Sequence, residues 1–187
     1  MLDTLPLKAL RDQPFDLLAE LERRGRAVSA QVVDDSPATR EWVGIALRMA
    51  GETYLVARDE TREVLSVPPT LTRVPGARPW LRGIANVRGQ ILPVLDLRQF
   101  LGSGTTAPTR STRIVVVNHR EIPAGLLVDE VLGFRRFAES EFSGDAPPTV
   151  VRCDRFLAGA FRRGAEHWPV LSLRTLVESP SFQDAAA

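Results

Sequence analysis

Few side chains in this sequence could do chemistry, and they stand far apart. His119 and His167 are the only histidines. His119-Arg120-Glu121 falls where a hairpin turn is expected, and one imidazole with one carboxylate does not complete a metal shell. His167 stands beside Trp168 at a strand start, a structural setting. Cys153 is the only cysteine, which excludes an internal disulfide and a cysteine-based zinc site and points to a reducing compartment. No Ser or Cys occupies a nucleophile motif, no glycine-rich loop has phosphate-cradle spacing, and no carboxylate pair is set apart among apolar residues. These absences argue against an enzyme, with no metal and no cofactor expected. What remains is recognition chemistry. Asn86 and Arg88 fall on one side of a strand by the period-two rule, so an amide and a guanidinium share a face. Such a pair either braces a turn or recognises a partner's carboxylate or backbone.

The element that must position this pair is Leu81 to Leu101, LRGIANVRGQILPVLDLRQFL. Ile84–Val87 and Gln90–Leu95 are short apolar runs, and Gly89 between them can take the positive φ of a tight turn, so a β-hairpin is expected. Asp96 then caps a helix whose Leu97, Phe100 and Leu101 face inward. The same grammar recurs. Laid without a gap over Leu157 to Val177, Gly83 meets Gly159, Pro93 meets Pro169, Val94 meets Val170 and Leu95 meets Leu171. Further along, Leu97 meets Leu173, Arg98 meets Arg174, and Asp96 is matched by Ser172, another capping residue. REVL at Arg62 to Leu65 is echoed by DEVL at Asp129 to Leu132. Two related β subdomains in one unit are implied rather than a solenoid, which needs several shorter repeats.

The 187 residues suffice for one domain or two small joined ones, and 44% hydrophobic with 25% charged residues is ordinary for a globular protein. A net charge of +1 offers no basic footprint for nucleic acid. No apolar run has signal-peptide character or approaches the roughly 18 residues of a membrane span, so a cytoplasmic protein is expected. Residues 1–41 form an extension in which Pro14 opens a helix with Phe15, Leu18 and Leu21 on one face, ended by Gly25 and followed by a linker at Asp34-Asp35-Ser36-Pro37. Residues 42–180 carry the β pattern, and 181–187 read as a tail. Within the β region, Val43–Leu47 and Thr53–Ala57 form a hairpin, Glu63–Val67 a strand, and Leu71–Pro75 a candidate strand. Pro79-Trp80-Leu81 reads as a helical turn with Trp80 as a core plug. Residues 102–112 read as an exposed connection between the two halves, Arg113–Asn118 with Ile122–Val128 as a second hairpin, and Val131–Phe137 as its continuation in a meander. Gly144–Pro148 is a proline-rich loop, and Ser172–Glu178 is a closing helix. Many short strands with little helix indicate small β-barrels, which remove exposed edges by closure.

From Val43 to about Glu178 the sequence resembles the CheW-like adaptor family of bacterial chemosensory arrays. LRGIANVRGQILPVLDLRQFLG, GLLVDEVLGF, ETREVL and PVLSLRTLV carry the likeness in the family's order. The resemblance implies two packed five-stranded SH3-like barrels and a non-catalytic scaffold that joins the regulatory domain of a CheA-type histidine kinase to the cytoplasmic tip of a chemoreceptor. It implies that Arg62, Glu63 and Gly83 face the kinase. Asn86, Arg88, Gly125, Leu127 and Val131 would lie near the receptor helix, between the barrels. The N-terminal extension and ARPWLRGIANVRG are similar to the PilI-type branch, which serves type IV pilus twitching motility. The resemblance implies a cytoplasmic location, with recruitment only through the receptor to membrane-attached arrays, a polar position among them. The competing readings are a flagellar CheW-type adaptor, and an SH3- or OB-like barrel binding nucleic acid or a small ligand. The latter needs clustered cations with stacking aromatics, and aromatic residues make up 6% of the chain.

Overall fold

The alternating apolar positions from Trp42 onward become strands in a computed structural model that describes residues 40–185 together with Phe15, Leu17, Leu18, Glu20 and Glu22. Those five early residues are helical, with Phe15 and Leu18 exposed. Pro14, Leu21, Gly25 and the linker expected at residues 34–37 lie outside the described residues. The chain from Glu41 onward is a unit of its own.

That unit contains strands β1 (Glu41–Met49), β2 (Glu52–Ala57), β3 (Thr61–Ser66), β4 (Leu81–Val87), β5 (Gln90–Asp96), β6 (Arg113–Val117), β7 (Gly125–Val128), β8 (Glu130–Ala138), β9 (Phe142–Ser143), β10 (Leu157–Arg163) and β11 (Glu166–Leu171). Its α-helices are short: α1 (Leu97–Phe100), α2 (Leu173–Glu178) and α3 (Pro180–Gln183). One sheet has the order β3-β6-β7-β5-β4 and the other β8-β1-β2-β11-β10-β9, giving the two packed SH3-like barrels expected. The sixth strand is a small addition. β9 pairs through Ser143 with Ala160, and the five-stranded barrel has the matching isolated bridge from Thr72 to Ile84, the residue that corresponds to Ala160. The strand expected over Leu71–Pro75 is reduced to that bridge.

The repeat is reproduced in register. Val87 pairs with Gln90 across the turn Arg88-Gly89, and Arg163 pairs with Glu166 across Gly164-Ala165. Both hairpins carry a bulge at the same place, before Gly83 and before Gly159. Gly83 has φ +144° and Gly159 has φ +146°; a Cβ on either would stand 2.5 Å from the Thr72 carbonyl oxygen and 2.3 Å from that of Ser143, respectively. Only glycine fits both the conformation and the space.

The expected meander does not continue past β7. β7 is occupied on one side by β6 and on the other by parallel β5, so β8 crosses to the other sheet and pairs with β1. Each barrel therefore mixes the two halves of the chain: β1-β2 complete the sheet of β8, β10 and β11, while β6-β7 complete that of β3, β4 and β5.

Period two then divides the core. Ile114, Val116 and Leu127 fill the five-stranded barrel with Ala85, Leu92 and Val94, while Val115 and Val117 turn toward β1 and join Ile45, Leu47, Leu95, Leu97 and Leu173 between the barrels. The six-stranded barrel is filled by aromatic rings, with Phe137 stacked on Phe161 at 4.7 Å and Trp42 at 4.6 Å from Phe161. Trp80 plugs the core as expected, edge-on to Phe100 and stacked on Phe182.

The connection 102–112 is exposed over most of its length, as expected, but it is pinned at Thr106, because the fully buried Asp96 carboxylate needs donors and takes them from Thr106 N at 2.9 Å and Thr106 Oγ1 at 3.0 Å; Thr106 and Thr112 are both buried. The segment from residue 181 is not a loose tail, since α3 carries Phe182 into the core between the barrels.

Candidate partner-binding surface

Arg88 is the most informative of the expected site residues. It occupies the first turn position of the β4–β5 hairpin with φ +51°, followed by Gly89 at φ +84°. That pair of positive φ values is the turn best suited to the twist of two antiparallel strands, and asparagine is the usual residue at its first position. An L-residue such as arginine is disfavoured there by about 1–2 kcal/mol. Asn86 braces the turn, its Oδ1 accepting a hydrogen bond from Gly89 N at 2.9 Å. Thus the amide holds the backbone, while the guanidinium is held out, 78% exposed, with Nη2 3.0 Å from Glu63 Oε2.

Glu63 lies on β3 and Arg88 at the tip of β4–β5, at opposite ends of the sheet order. Their contact shows the sheet curling shut, and it joins residues that the sequence assigned to two partners. Arg62, Glu63 and Arg88 line one groove of about 430 Å³ together with Val87, Ile91 and His119. The groove also takes in Arg120, so cations outnumber its single carboxylate and it complements an acidic partner surface. Ile91 is 67% exposed and adds an apolar contact to this charged lining. The sequence contained the signal for it: Ile91 stands directly across from Asn86, and its neighbour Leu92 faces the core, so Ile91 faces outward.

The remaining expected residues sit elsewhere. Gly83, expected on the kinase-facing surface, is buried at its bulge. Gly125 and Leu127 are buried inside the five-stranded barrel, where a Cβ on Gly125 would stand 2.7 Å from Ile114 Cγ2. β7 is covered on both faces, so every residue of it is internal. Val131 is half-buried against the core between the barrels. On the same strand Phe134 is 62% exposed, although it pairs with Ile45, which belongs to that core.

Arg98 joins the first helix to the DEVL motif: its Nη1 lies 3.3 Å from Asp129, whose Oδ2 accepts from Ala50 N at 2.8 Å. Asp59 and Thr61 shape the turn into β3. Asn118 Nδ2 donates to the Asp59 carbonyl and Thr61 Oγ1 donates to the Ala57 carbonyl.

None of the other titratable groups forms a reactive constellation. His119 Nδ1 accepts from Ile122 N at 3.1 Å, which leaves the protonated Nε2 to donate to Glu178 at 3.2 Å; the imidazole is a loop clamp. His167 is exposed opposite Arg162. Burial pushes the Cys153 thiol up from its ordinary pKa, and burial, followed by the hydrogen bond to Glu52, pushes the Tyr54 hydroxyl far up. Both are held in their neutral, unreactive forms. Among the described residues no group of three or more His, Cys, Asp and Glu side chains is placed to hold a metal ion, and no helix is long and apolar enough to cross a membrane.

Two packed SH3-like barrels whose exposed feature is a charged groove with an apolar contact define a scaffold for protein contacts. The chain belongs to the CheW-like family, whose CheW-like domain matches residues 44–181, and within it to the PilI-type branch. It is 37% identical over 173 residues to Protein PilI of Pseudomonas aeruginosa, covering 92% of this chain and 96% of that one. It is 41% identical over 106 residues to Chemotaxis protein CheW of Bacillus subtilis, covering 57% of this chain and 67% of that protein. The crystal structure of scaffolding protein TtCheW from Thermoanaerobacter tengcongensis superposes with a TM-score of 0.65 at 26% identity, covering 76% of this chain and 96% of that one. The protein is a chemosensory adaptor of a non-catalytic scaffold family.

Proposed function

We propose that this adaptor couples the cytoplasmic tip of a chemoreceptor to the regulatory domain of a CheA-type histidine kinase, in an array controlling type IV pilus twitching motility. The observation that carries the reading is the single groove in which Arg62, Glu63, Arg88 and Ile91 converge, held open by a strained arginine at a braced turn. Strain kept at an exposed residue is a mark of recognition. The groove faces the kinase regulatory domain, a partner with complementary carboxylates around an apolar contact. The receptor helix docks against the half-buried Val131 and exposed Phe134 at the rim of the core between the barrels. The pilus assignment is supported by the 37% identity to PilI along nearly the whole of both chains. The adaptor works without catalysis, biasing the kinase between states by differential contact. It binds no nucleic acid and reaches the membrane only through the receptor.

The test is a titration of the full chain against isolated regulatory domains of pilus-associated and flagellar CheA-type kinases. Micromolar or tighter binding to the pilus-associated domain, weakened about tenfold by Arg62→Ala, is the expected result. Preference for the flagellar domain would overturn the pilus assignment, and binding to neither would overturn the adaptor's kinase partner.

A further inference from the structure

The two copies of the hairpin-and-cap unit differ in how the helix cap is charged, and there the difference leaves a cavity. In the first copy Arg82 reaches from β4 toward the Asp96 carboxylate, Nη1 to Oδ2 at 3.8 Å. Asp96 also accepts from Gln99 N, Thr106 N and Thr106 Oγ1. In the second copy the corresponding residues are Ala158 and Ser172, and the carboxylate is supplied from outside the copy by Glu60. It accepts from Ser172 Oγ at 3.1 Å, Leu173 N at 2.6 Å and Arg174 N at 3.4 Å. The two carboxylates thus have the same number of donors, but only Asp96 also has a guanidinium. No cation among the described residues forms an ion pair with Glu60.

Ala158, Glu60 and Ser172 line a cavity of about 400 Å³. Trp42, Phe142 and Phe161 form its aromatic wall, with ring centroids 4.6 Å apart for Trp42 and Phe161 and 5.1 Å for Phe142 and Phe161. Glu139 adds a second carboxylate, and neither arginine nor lysine lines the space. Phe142 and Glu139 are exposed, which puts the mouth of the cavity at the surface.

A carboxylate pair beside aromatic faces selects a cation with a flat apolar body. A guanidinium stacks on rings, forks onto carboxylates and is weakly hydrated; an ammonium is a compact, strongly hydrated charge. We propose that this slot receives an arginine side chain from a partner protein, its guanidinium on Glu60 and Glu139 and against the aromatic wall. The contact is the intermolecular counterpart of Arg82 on Asp96. That internal pair shows a strand-borne arginine meeting a cap carboxylate within this fold, which is why the occupant is a protein side chain.

The probe is an acetylated, amidated pentapeptide with arginine between two leucines, titrated into the full chain while the Trp42 indole N–H resonance is followed, that signal being identified by its loss in Trp42→Phe. The expected result is a saturable shift with a dissociation constant of about 1 mM, absent for the same peptide with norleucine in place of arginine and several-fold weaker with lysine. Ala158→Arg fills the slot from within and is expected to abolish the shift. Glu139→Gln, at an exposed side chain that no fold contact uses, is expected to weaken binding roughly three- to tenfold and tests the same slot should Ala158→Arg not fold. Equal shifts from the norleucine or lysine peptide overturn the proposal, as does undiminished arginine-peptide binding by Glu139→Gln or by folded Ala158→Arg.

Discussion

In the hairpin before α1 the helix is capped by Asp96, a buried carboxylate that also ties down the following loop; in the hairpin before α2 it is capped by Ser172, and the carboxylate is brought in by Glu60 from the β2–β3 turn. The backbones share the bulge glycine, closure in two residues and the hydrogen bond that returns from the cap residue, Asp96 N to the Trp80 carbonyl and Ser172 N to the Phe156 carbonyl. The turns differ in conformation, with positive φ at both Arg88 and Gly89 but only at Gly164 in the second. The copies also differ in where charge is kept. The first copy concentrates it within itself and at its tip, where Arg88 meets Glu63. The second ends in Gly164-Ala165, keeps its charge beside that turn, where Arg163 meets Glu141, and takes its cap carboxylate from Glu60. The shared features are those required by backbone geometry, and the divergent ones lie where each copy meets something else.

The comparison can be broken most severely at the feature both copies share. Gly83→Val and Gly159→Val each force a side chain into a backbone carbonyl at a positive φ, and each is expected to cost more than about 4 kcal/mol or to prevent folding, read by denaturant unfolding. Comparable stability of Gly83→Val and the wild type would mean that the bulge can be rebuilt and would return Gly83 to a surface role. Next come the caps. Asp96→Asn leaves the Arg82 guanidinium without its counter-charge and weakens the hold on Thr106, at about 2–4 kcal/mol. Ser172→Ala removes the cap hydrogen bond from Thr175 N and the one that Ser172 Oγ donates to Glu60, while Leu173 N and Arg174 N still donate to Glu60, at about 1 kcal/mol. Equal losses would remove the distinction between internal and borrowed charge.

At the tip, Arg88→Asn gives the turn its preferred residue while removing the guanidinium. Stability is expected to stay within about 1 kcal/mol of wild type, because the exposed ion pair to Glu63 is worth little. Binding to the kinase regulatory domain is expected to fall about tenfold. A large fall in melting temperature with binding intact would identify Arg88 as a brace. The smallest effect is at Glu141, whose carboxyl is held down at about 2, first by its hydrogen bond from Arg163 and then by that from Ala138 N. Its folded pKa lies below the unfolded value of 4.5, so its contribution to stability is complete above that value and is lost as pH falls from there toward 2. In an NMR titration Arg163→Ala should move the Glu141 midpoint up toward its ordinary value, and an unmoved midpoint would show that Arg163 is not the cause.

Features that depend on neighbouring residues were legible in the sequence. The Arg88-Gly89 turn, the Asp96 and Ser172 caps and the gapless match of the copies depend on residues within a few positions of one another, and each stands where the letters place it. Partnerships across the chain were not. Nothing near Val131 tells that β8 leaves β7 for β1, because that choice depends on parallel β5 already occupying the edge of β7. The site divided in the same way. Exposure of Arg62 and Arg88 was readable, but their meeting in one groove requires the sheet to close. Gly83, Gly125 and Leu127 lie inside, where their motif alone could not place them, because a motif marks both what a fold needs inside and what it shows outside, and only burial separates the two.

The exchange of hairpins between the halves also bears on synthesis. β1 pairs with β8 and Leu55 of β2 with Val170 of β11, so the first hairpin to leave a ribosome has no neighbouring strand to join until the second half of the chain emerges. A nascent chain halted in the 102–112 connection would hold β1-β2 and β3-β4-β5, which belong to different barrels. Neither barrel is self-sufficient at that stage, and both come into being together when the second half arrives.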